Sequence, residues 1–310
     1  MTHVKAELAS QPDCWRHAAT LADSPGLPRS GERVAVAGCG TSWFMAKAYA
    51  ALRELAGQGE TDAFQASEFP LERTYDRVVV ITRSATTSEV VDLLDAIGGR
   101  CRTTVITAAP QMPAAALATD VIALEFASEQ SVLQTRFPTS TLALLRAHLG
   151  ENIQAAAADA EVAVRLPLPV HPSLVDQVTF LGRGWTIGLA EEAALKCREA
   201  AMFWAEAYPA MDYRHGPIAI AGPRRVVWAF GDVPPGLADE VETAGAAFVH
   251  SRYNGGYAAL GRWRSGRSPL DPMADLVVAQ RFAVLLATSQ GLNPDAPRNL
   301  TRSVVLTGAS

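Results

Sequence analysis

Two short segments place small hydroxylated side chains where an anion could be held: Gly40-Thr41-Ser42 and Thr82-Arg83-Ser84-Ala85-Thr86-Thr87. Each follows an apolar run that reads as a strand and precedes a run with helical periodicity. At such a junction, free backbone N–H groups and the positive end of the helix dipole point together at the carboxyl edge of a sheet. The hydroxyls of Ser42, Ser84 and Thr87 add donors without bulk, and Arg83 carries a charge that would compensate a dianion. The same residue types are also the preferred helix N-caps. The loops therefore support two readings, anion cradle and cap. Neither fits GxxxxGK[ST], and GCGTSW lacks the last glycine of GxGxxG, which argues against nucleoside triphosphates.

A second cluster lies in LAEEAALKCREAAMFWAEAY, which begins at Leu189. Glu192, Lys196 and Glu199 are spaced i, i+4, i+7 and share one helix face, while the residues around them are mostly apolar. A stripe this narrow faces either water or a polar cavity. Facing water, it is an ordinary Glu–Lys pair worth a few tenths of a kcal/mol. In a cavity, Lys196 would hold a neighbouring carboxylate ionised and make Glu199 a proton-transfer base. Downstream, Asp212-Tyr213-Arg214-His215-Gly216-Pro217 sets a histidine in a turn, where an imidazole can shuttle protons near neutral pH.

These groups need a scaffold. Arg33–Ala37 and Arg77–Ile81 are continuous apolar runs of the kind covered on both faces. Helices are expected after each, the second stopped by Gly98-Gly99. Strands at Thr103–Thr107 and Val121–Phe126 and a helix from about Pro138 complete one αβα unit. The order then repeats: strand Val178–Leu181, glycine turn Gly182-Arg183-Gly184, a long helix from about Leu189, strands near Arg225–Phe230 and Ala247–His250, and a helix around Val277–Thr288. The economical reading is α/β, two tandem doubly wound, flavodoxin-like parallel-sheet domains. Residues 1–164 form the first, 173–292 the second, with a proline-rich linker at 165–172 and a tail at 293–310. Ser303–Thr307 reads as a closing strand.

The 310 residues include 27 basic and 32 acidic side chains, for a net charge of −5. That balance argues against a broad nucleic-acid footprint. No membrane-length apolar stretch or secretory leader is present, so a cytoplasmic location is expected. The four cysteines lie far apart without CxxC or Cys/His spacing, and no metal, disulfide or cofactor is called for. The only lysines are Lys5, Lys47 and Lys196, so any lysine imine must use one of these three.

The motifs GCGTS, ASEF, ITRSATTSEV, EQSVLQTRF, FLGRG, AEEAALKCREAAMFWAEAY, YRHGPIAI and PRNLTRSV occur in one order. Together they resemble the tandem sugar-isomerase (SIS) domain family, which includes the isomerase region of glucosamine-6-phosphate synthase. The resemblance covers nearly the whole chain. It implies sugar 6-phosphate binding through Thr41, Ser42, Thr82, Ser84 and Thr87, with Arg83 at a position that is commonly Gln. It further implies a backbone contact at Val132 and a sugar contact at Gln134. By the same likeness Glu199 moves the C2 proton and His215 opens the ring, donated by the partner in a homodimer. Glu192 and Lys196 support them. Two departures stand out: Ala85 replaces the usual glycine of the second loop, and Arg302 stands where the family has a Schiff-base lysine. Arginine stays protonated and cannot form that imine. Nor does a glutaminase segment precede these motifs.

The expected reaction is C2 proton abstraction from a ring-opened amino-sugar 6-phosphate, of the glucosamine or N-acetylglucosamine type. It gives aldose–ketose isomerisation, with deamination possible for a free amine. Loss of the C3 substituent from the same intermediate would instead make the protein a lyase or dehydratase, an exit that needs no imine. A non-catalytic sugar-phosphate sensor is the third reading.

Overall fold

The computed structural model describes residues 2–250 and 270–306. The chain opens with α1 (His3–Ala9) and α2 (Gln11–Ala19), then alternates through β1 (Val34–Gly38), α3 (Thr41–Leu55), β2 (Thr61–Gln65), β3 (Arg77–Ile81), α4 (Ser88–Ile97), β4 (Arg102–Thr107), α5 (Pro113–Ala116), β5 (Asp120–Ala123) and α6 (Arg136–His148). There follow α7 (Ile153–Ala163), β6 (Gln177–Gly182), α8 (Thr186–Ala201), β7 (Ala205–Pro209), β8 (Arg225–Ala229), α9 (Leu237–Thr243), β9 (Ala247–His250) and α10 (Pro272–Ser289).

The chain divides into two compact units: Asp13–Ile153 with Asn299–Ser310, and Met1–Pro12 with Gln154–Arg298. The first holds a five-stranded parallel sheet in the order β2-β1-β3-β4-β5. Strands β1 and β3 are wholly buried, as their unbroken apolar runs require. Gly98 adopts φ 52° and closes α4, the left-handed stop expected of it. The second unit holds a four-stranded parallel sheet, β7-β6-β8-β9, with α8 and α10 packed along each other.

Unit boundaries differ from those drawn on proline content. The stretch 165–172 is irregular, but it joins two parts of one unit. Helix α7 stays with the second unit because Arg281 donates to the Ala163 and Leu166 carbonyls and the Asp271 N–H bonds Asp159. The opening residues join it too, since the Asp295 carboxylate accepts from the N–H groups of His3 and Val4.

Two strand expectations are corrected. The run 121–126 is strand only to Ala123, and Glu125–Ala127 makes a 3-10 turn. Residues 303–306 are not a strand, because Val304 and Leu306 both bond Ser88, the first residue of α4, instead of a sheet edge; Thr307 lies outside the described residues.

In each sheet the chain leaves two neighbouring strands in opposite directions, β1 from β3 and β6 from β8, which creates a switch point at the carboxyl edge. The two switch points share a glycine pattern. At the second, the Thr186 hydroxyl accepts from the Arg183 N–H (2.8 Å) and donates to the Phe230 carbonyl (2.9 Å), stapling the two loops together. A Cβ on Gly182 would lie 2.3 Å from the Thr186 carbonyl oxygen. Gly182→Ala should therefore destabilise the protein by about 3 kcal/mol, read as a lowered denaturation midpoint at unchanged slope. At the first switch point Gly38 is crowded likewise, a Cβ there lying 2.8 Å from the Ser42 Cβ, and Gly40 turns at φ 53° with open space beside it, as Gly184 does at φ 56°.

Candidate active site

The carboxyl edge of the first sheet gathers most of the expected anion-binding residues. Thr41 and Ser42 open α3, and Thr82–Thr87 run from β3 into α4. Neither helix uses a side-chain cap: the N-cap of α3 is Gly40, and Thr87 occupies the N-cap of α4 without a side-chain cap bond. Capping is therefore not what these hydroxyls do.

The second loop keeps its tight shape despite Ala85. That residue sits at φ 52°, buried, with its N–H donated to the Thr82 hydroxyl (3.2 Å) and its carbonyl accepting from Ala114. Left-handed backbone costs a non-glycine residue about 1 kcal/mol, here offset by burial of the methyl group. The Thr86 N–H bonds the Ser84 hydroxyl, and the Thr86 hydroxyl lies 3.0 Å from those of Ser84 and Ser303.

Arg83 has a different job from the one its charge suggested. Its side chain is 2% exposed and lies beside Glu129 (3.4 Å). Nη1 also donates to the Ser131 and Val132 carbonyls, and Nη2 to the Arg302 carbonyl at 2.9 Å. A guanidinium so engaged ties protein segments together and is not aimed at a bound dianion. Val132 lies in this network, its carbonyl accepting from Arg83. In the same β5–α6 connection the Gln134 side-chain oxygen is buried without a hydrogen-bond partner among the described residues. The Arg302 side chain is exposed.

Sequence reasoning assigned no role to Glu129. Its carboxylate accepts from the N–H groups of Thr135 (2.5 Å) and Arg136 (2.8 Å), capping α6 from six residues upstream. The available signal was an acidic residue shortly before a helix start.

Cys39, between β1 and Gly40, has its thiol pushed up to about 11, by burial first and by the Glu89 charge second, with a backbone bond from Ala66 opposing. The proton is thus held more tightly in the folded state, which loses stability as pH rises from 9 toward 11. At pH 9 native Cys39 should react with iodoacetamide roughly fiftyfold more slowly than in the unfolded chain, as peptide mapping of alkylated protein would show.

In the second unit, α8 carries the ionic stripe inside. Glu192 and Lys196 are fully buried, and Glu199 is partly exposed, its side chain at 22%. Lys196 Nζ lies 2.5 Å from Glu199 Oε2 and 3.6 Å from Glu192 Oε1. The solvated-face reading is thereby excluded. The ammonium is held between two carboxylates, an arrangement that orients Glu199 and occupies the amine an imine would need. Cys197 on this helix is buried, and burial pushes its thiol up to about 12, so it is no nucleophile.

His215 follows a 3-10 turn, Asp212–Arg214, and its N–H bonds the Asp212 carbonyl. Arg214 anchors the turn through both Glu240 oxygens (2.8 Å each) and the Pro235 carbonyl. The histidine itself is exposed. Gly216 turns at φ 127° next to it. Among the described residues no group of three His, Cys, Asp or Glu could hold a metal ion, and no helix is long and apolar enough to cross a membrane.

Comparison with known proteins agrees on the fold, parallel α/β sheets of the kind found in phosphosugar isomerases and deaminases. The model superposes on the C-terminal domain of glucosamine-fructose-6-phosphate aminotransferase from Francisella tularensis with a TM-score of 0.78 at 19% identity, covering 94% of this chain and 97% of that one. Glucosamine-6-phosphate deaminase from Thermotoga maritima gives 0.76 at 22% identity, with 97% and 99% covered.

In sequence, the likeness is to glutamine–fructose-6-phosphate aminotransferase (isomerizing). The protein of Tropheryma whipplei (strain Twist) is 34% identical over 145 residues, 42% of this chain and 24% of that relative. The protein of Gloeobacter violaceus (strain ATCC 29082 / PCC 7421) is 29% identical over 333 residues, covering 89% and 52% respectively. The chain thus spans at most about half the length of these relatives. No family model matches.

Proposed function

We propose that the protein acts on an amino-sugar 6-phosphate of the glucosamine-6-phosphate or N-acetylglucosamine-6-phosphate type, moving the C2 proton of the open-chain sugar. The carrying observation is the buried Glu192–Lys196 pair, which fixes one partly exposed carboxylate, Glu199, on α8. An internal ion pair that ends in an accessible carboxylate is the arrangement a general base requires. In this reading the phosphate lies at the first switch point against the α3 and α4 N-termini, with donors from Thr41, Ser42, Thr82, Ser84 and Thr87. A sugar hydroxyl satisfies the orphaned Gln134 oxygen. Exposed His215, donated between copies in a homodimer, assists ring opening.

Returning the proton to C1 gives the 2-imine of the ketose, which water hydrolyses to the ketose 6-phosphate with release of ammonia, or of acetamide from the N-acetyl sugar. Departure of the C3 hydroxyl from the same intermediate gives a dehydrated product, and Arg302 favours that second reading because elimination needs no imine. The test is incubation with glucosamine-6-phosphate and with N-acetylglucosamine-6-phosphate, followed by mass analysis. A ketose phosphate appearing together with ammonia or acetamide marks C2-to-C1 proton transfer, that is isomerisation with deamination, and loss of water with the nitrogen retained marks elimination. Binding without turnover of either sugar would overturn the enzymatic reading in favour of a sensor.

A further inference from the structure

We infer that Arg83 is a positioning residue that latches the C-terminal strap and the β5–α6 loop onto the first switch point as one body. The inference deepens the proposed site and rests on that reading for its consequence, though its geometry stands alone. One buried guanidinium bridges three segments far apart in sequence. It belongs to the β3–α4 loop, holds the β5–α6 loop through Glu129 and the carbonyls of Ser131 and Val132, and holds the strap through the Arg302 carbonyl.

Glu129 completes the β5–α6 side by capping α6, so the carboxylate that neutralises Arg83 also fixes the loop bearing Gln134. Beyond Arg302 the strap follows α4 closely. The Ser303 hydroxyl meets that of Thr86, the Val304 carbonyl accepts from the Ser88 N–H, and the Leu306 N–H donates to the Ser88 hydroxyl. The Val304 carbonyl thereby occupies a donor at the N-terminus of α4. An arriving phosphate therefore competes with the strap for that end of the helix, or shares it after the strap shifts. Only a planar fork holds carbonyls on two segments and a carboxylate at once; an ammonium is a point donor on a flexible stem.

The test is amide hydrogen exchange on the full-length protein without sugar, read at Ser88 and Leu306. Arg83→Lys keeps the charge beside Glu129 and removes the fork, so the fold is retained. Exchange at Leu306 and Ser88 should then rise at least tenfold, while amides of β1 and β3 keep their protection. Arg83→Met should release the strap likewise, and if it fails to fold, Arg83→Lys decides alone. Unchanged exchange at both amides in a folded Arg83→Lys protein overturns the latch.

Steady-state kinetics on whichever sugar phosphate the wild type turns over supplies the second readout. KM should shift about tenfold in Arg83→Lys with kcat changed less than threefold. An equal fall in kcat with KM unmoved overturns the coupling of strap to substrate. Because the exchange experiment contains no sugar, the latch is decided even if neither phosphosugar binds, an outcome that would sink only the functional reading.

Discussion

Replacing Glu199 with Gln should lower kcat about 10³-fold while KM moves less than threefold, within the range a general base contributes. The substitution preserves shape, and the amide oxygen can still accept from Lys196, whose Nζ lies 2.5 Å from the native carboxylate. Folding and sugar-phosphate affinity should therefore survive, and a fall confined to kcat identifies an interaction made in the transition state. The base and its charge beside Lys196 are lost, while Glu192 still faces the ammonium. The result separates the enzymatic readings from the sensor, since a sensor would bind the ligand equally well with either residue and show no turnover with both. Wild-type turnover by Glu199→Gln would remove Glu199 from the chemistry altogether.

How much of this was legible in the chain depends on the range of the interactions involved. The buried strands β1 and β3 announced themselves through unbroken runs such as Arg77–Ile81, because a strand covered on both faces has no polar alternation to obscure it. Helix α8 was equally readable. Its i, i+4, i+7 ionic stripe is a local pattern, and the surrounding alanines left room for only two readings, of which the burial of Lys196 selects one. Arg83 was not readable. Its loop announced a charge, but the direction of the guanidinium is set by Glu129 and Arg302, 46 and 219 positions away. The strap failed as a strand for the same reason: Val304, Val305 and Leu306 have apolar side chains that suit a strand, whereas the backbone groups of Val304 and Leu306 both bond Ser88 at the start of α4. Prolines at 165–172 correctly marked irregular backbone, yet irregularity is not a loss of packing, and α7 is held to the second unit by hydrogen bonds no composition reveals.

The motif likeness supplied roles faster than geometry did, and geometry then redistributed them. Ser42 and Thr87 remain candidates for the phosphate because the α3 and α4 caps do not use side chains. Val132 and Arg83 are bonded to each other, which ties two of the expected contact positions together. Ala85 shows that a loop can keep a glycine-like conformation without glycine when the methyl group is buried in the core behind it.

The largest effect on stability is expected at Lys196. Lys196→Met fills a similar volume but takes the cation from between Glu192, which is wholly buried, and Glu199. Breaking a buried pair from one side costs about 3–5 kcal/mol, because the remaining charge stays desolvated. For a chain of this size that is a fall in Tm of roughly 6–12 °C, measurable by calorimetry. Replacing both buried partners, Lys196→Met with Glu192→Leu, should recover most of that loss, since an apolar pair of similar volume is often as stable as the ion pair it replaces. Activity should not recover with it. Without the ammonium, Glu199 loses the donor that orients it, so kcat should stay at least tenfold down in the doubly substituted protein. Recovery of both properties together would mean the triad is merely structural; recovery of stability alone shows that the buried charge is retained for the sake of the carboxylate at its exposed end.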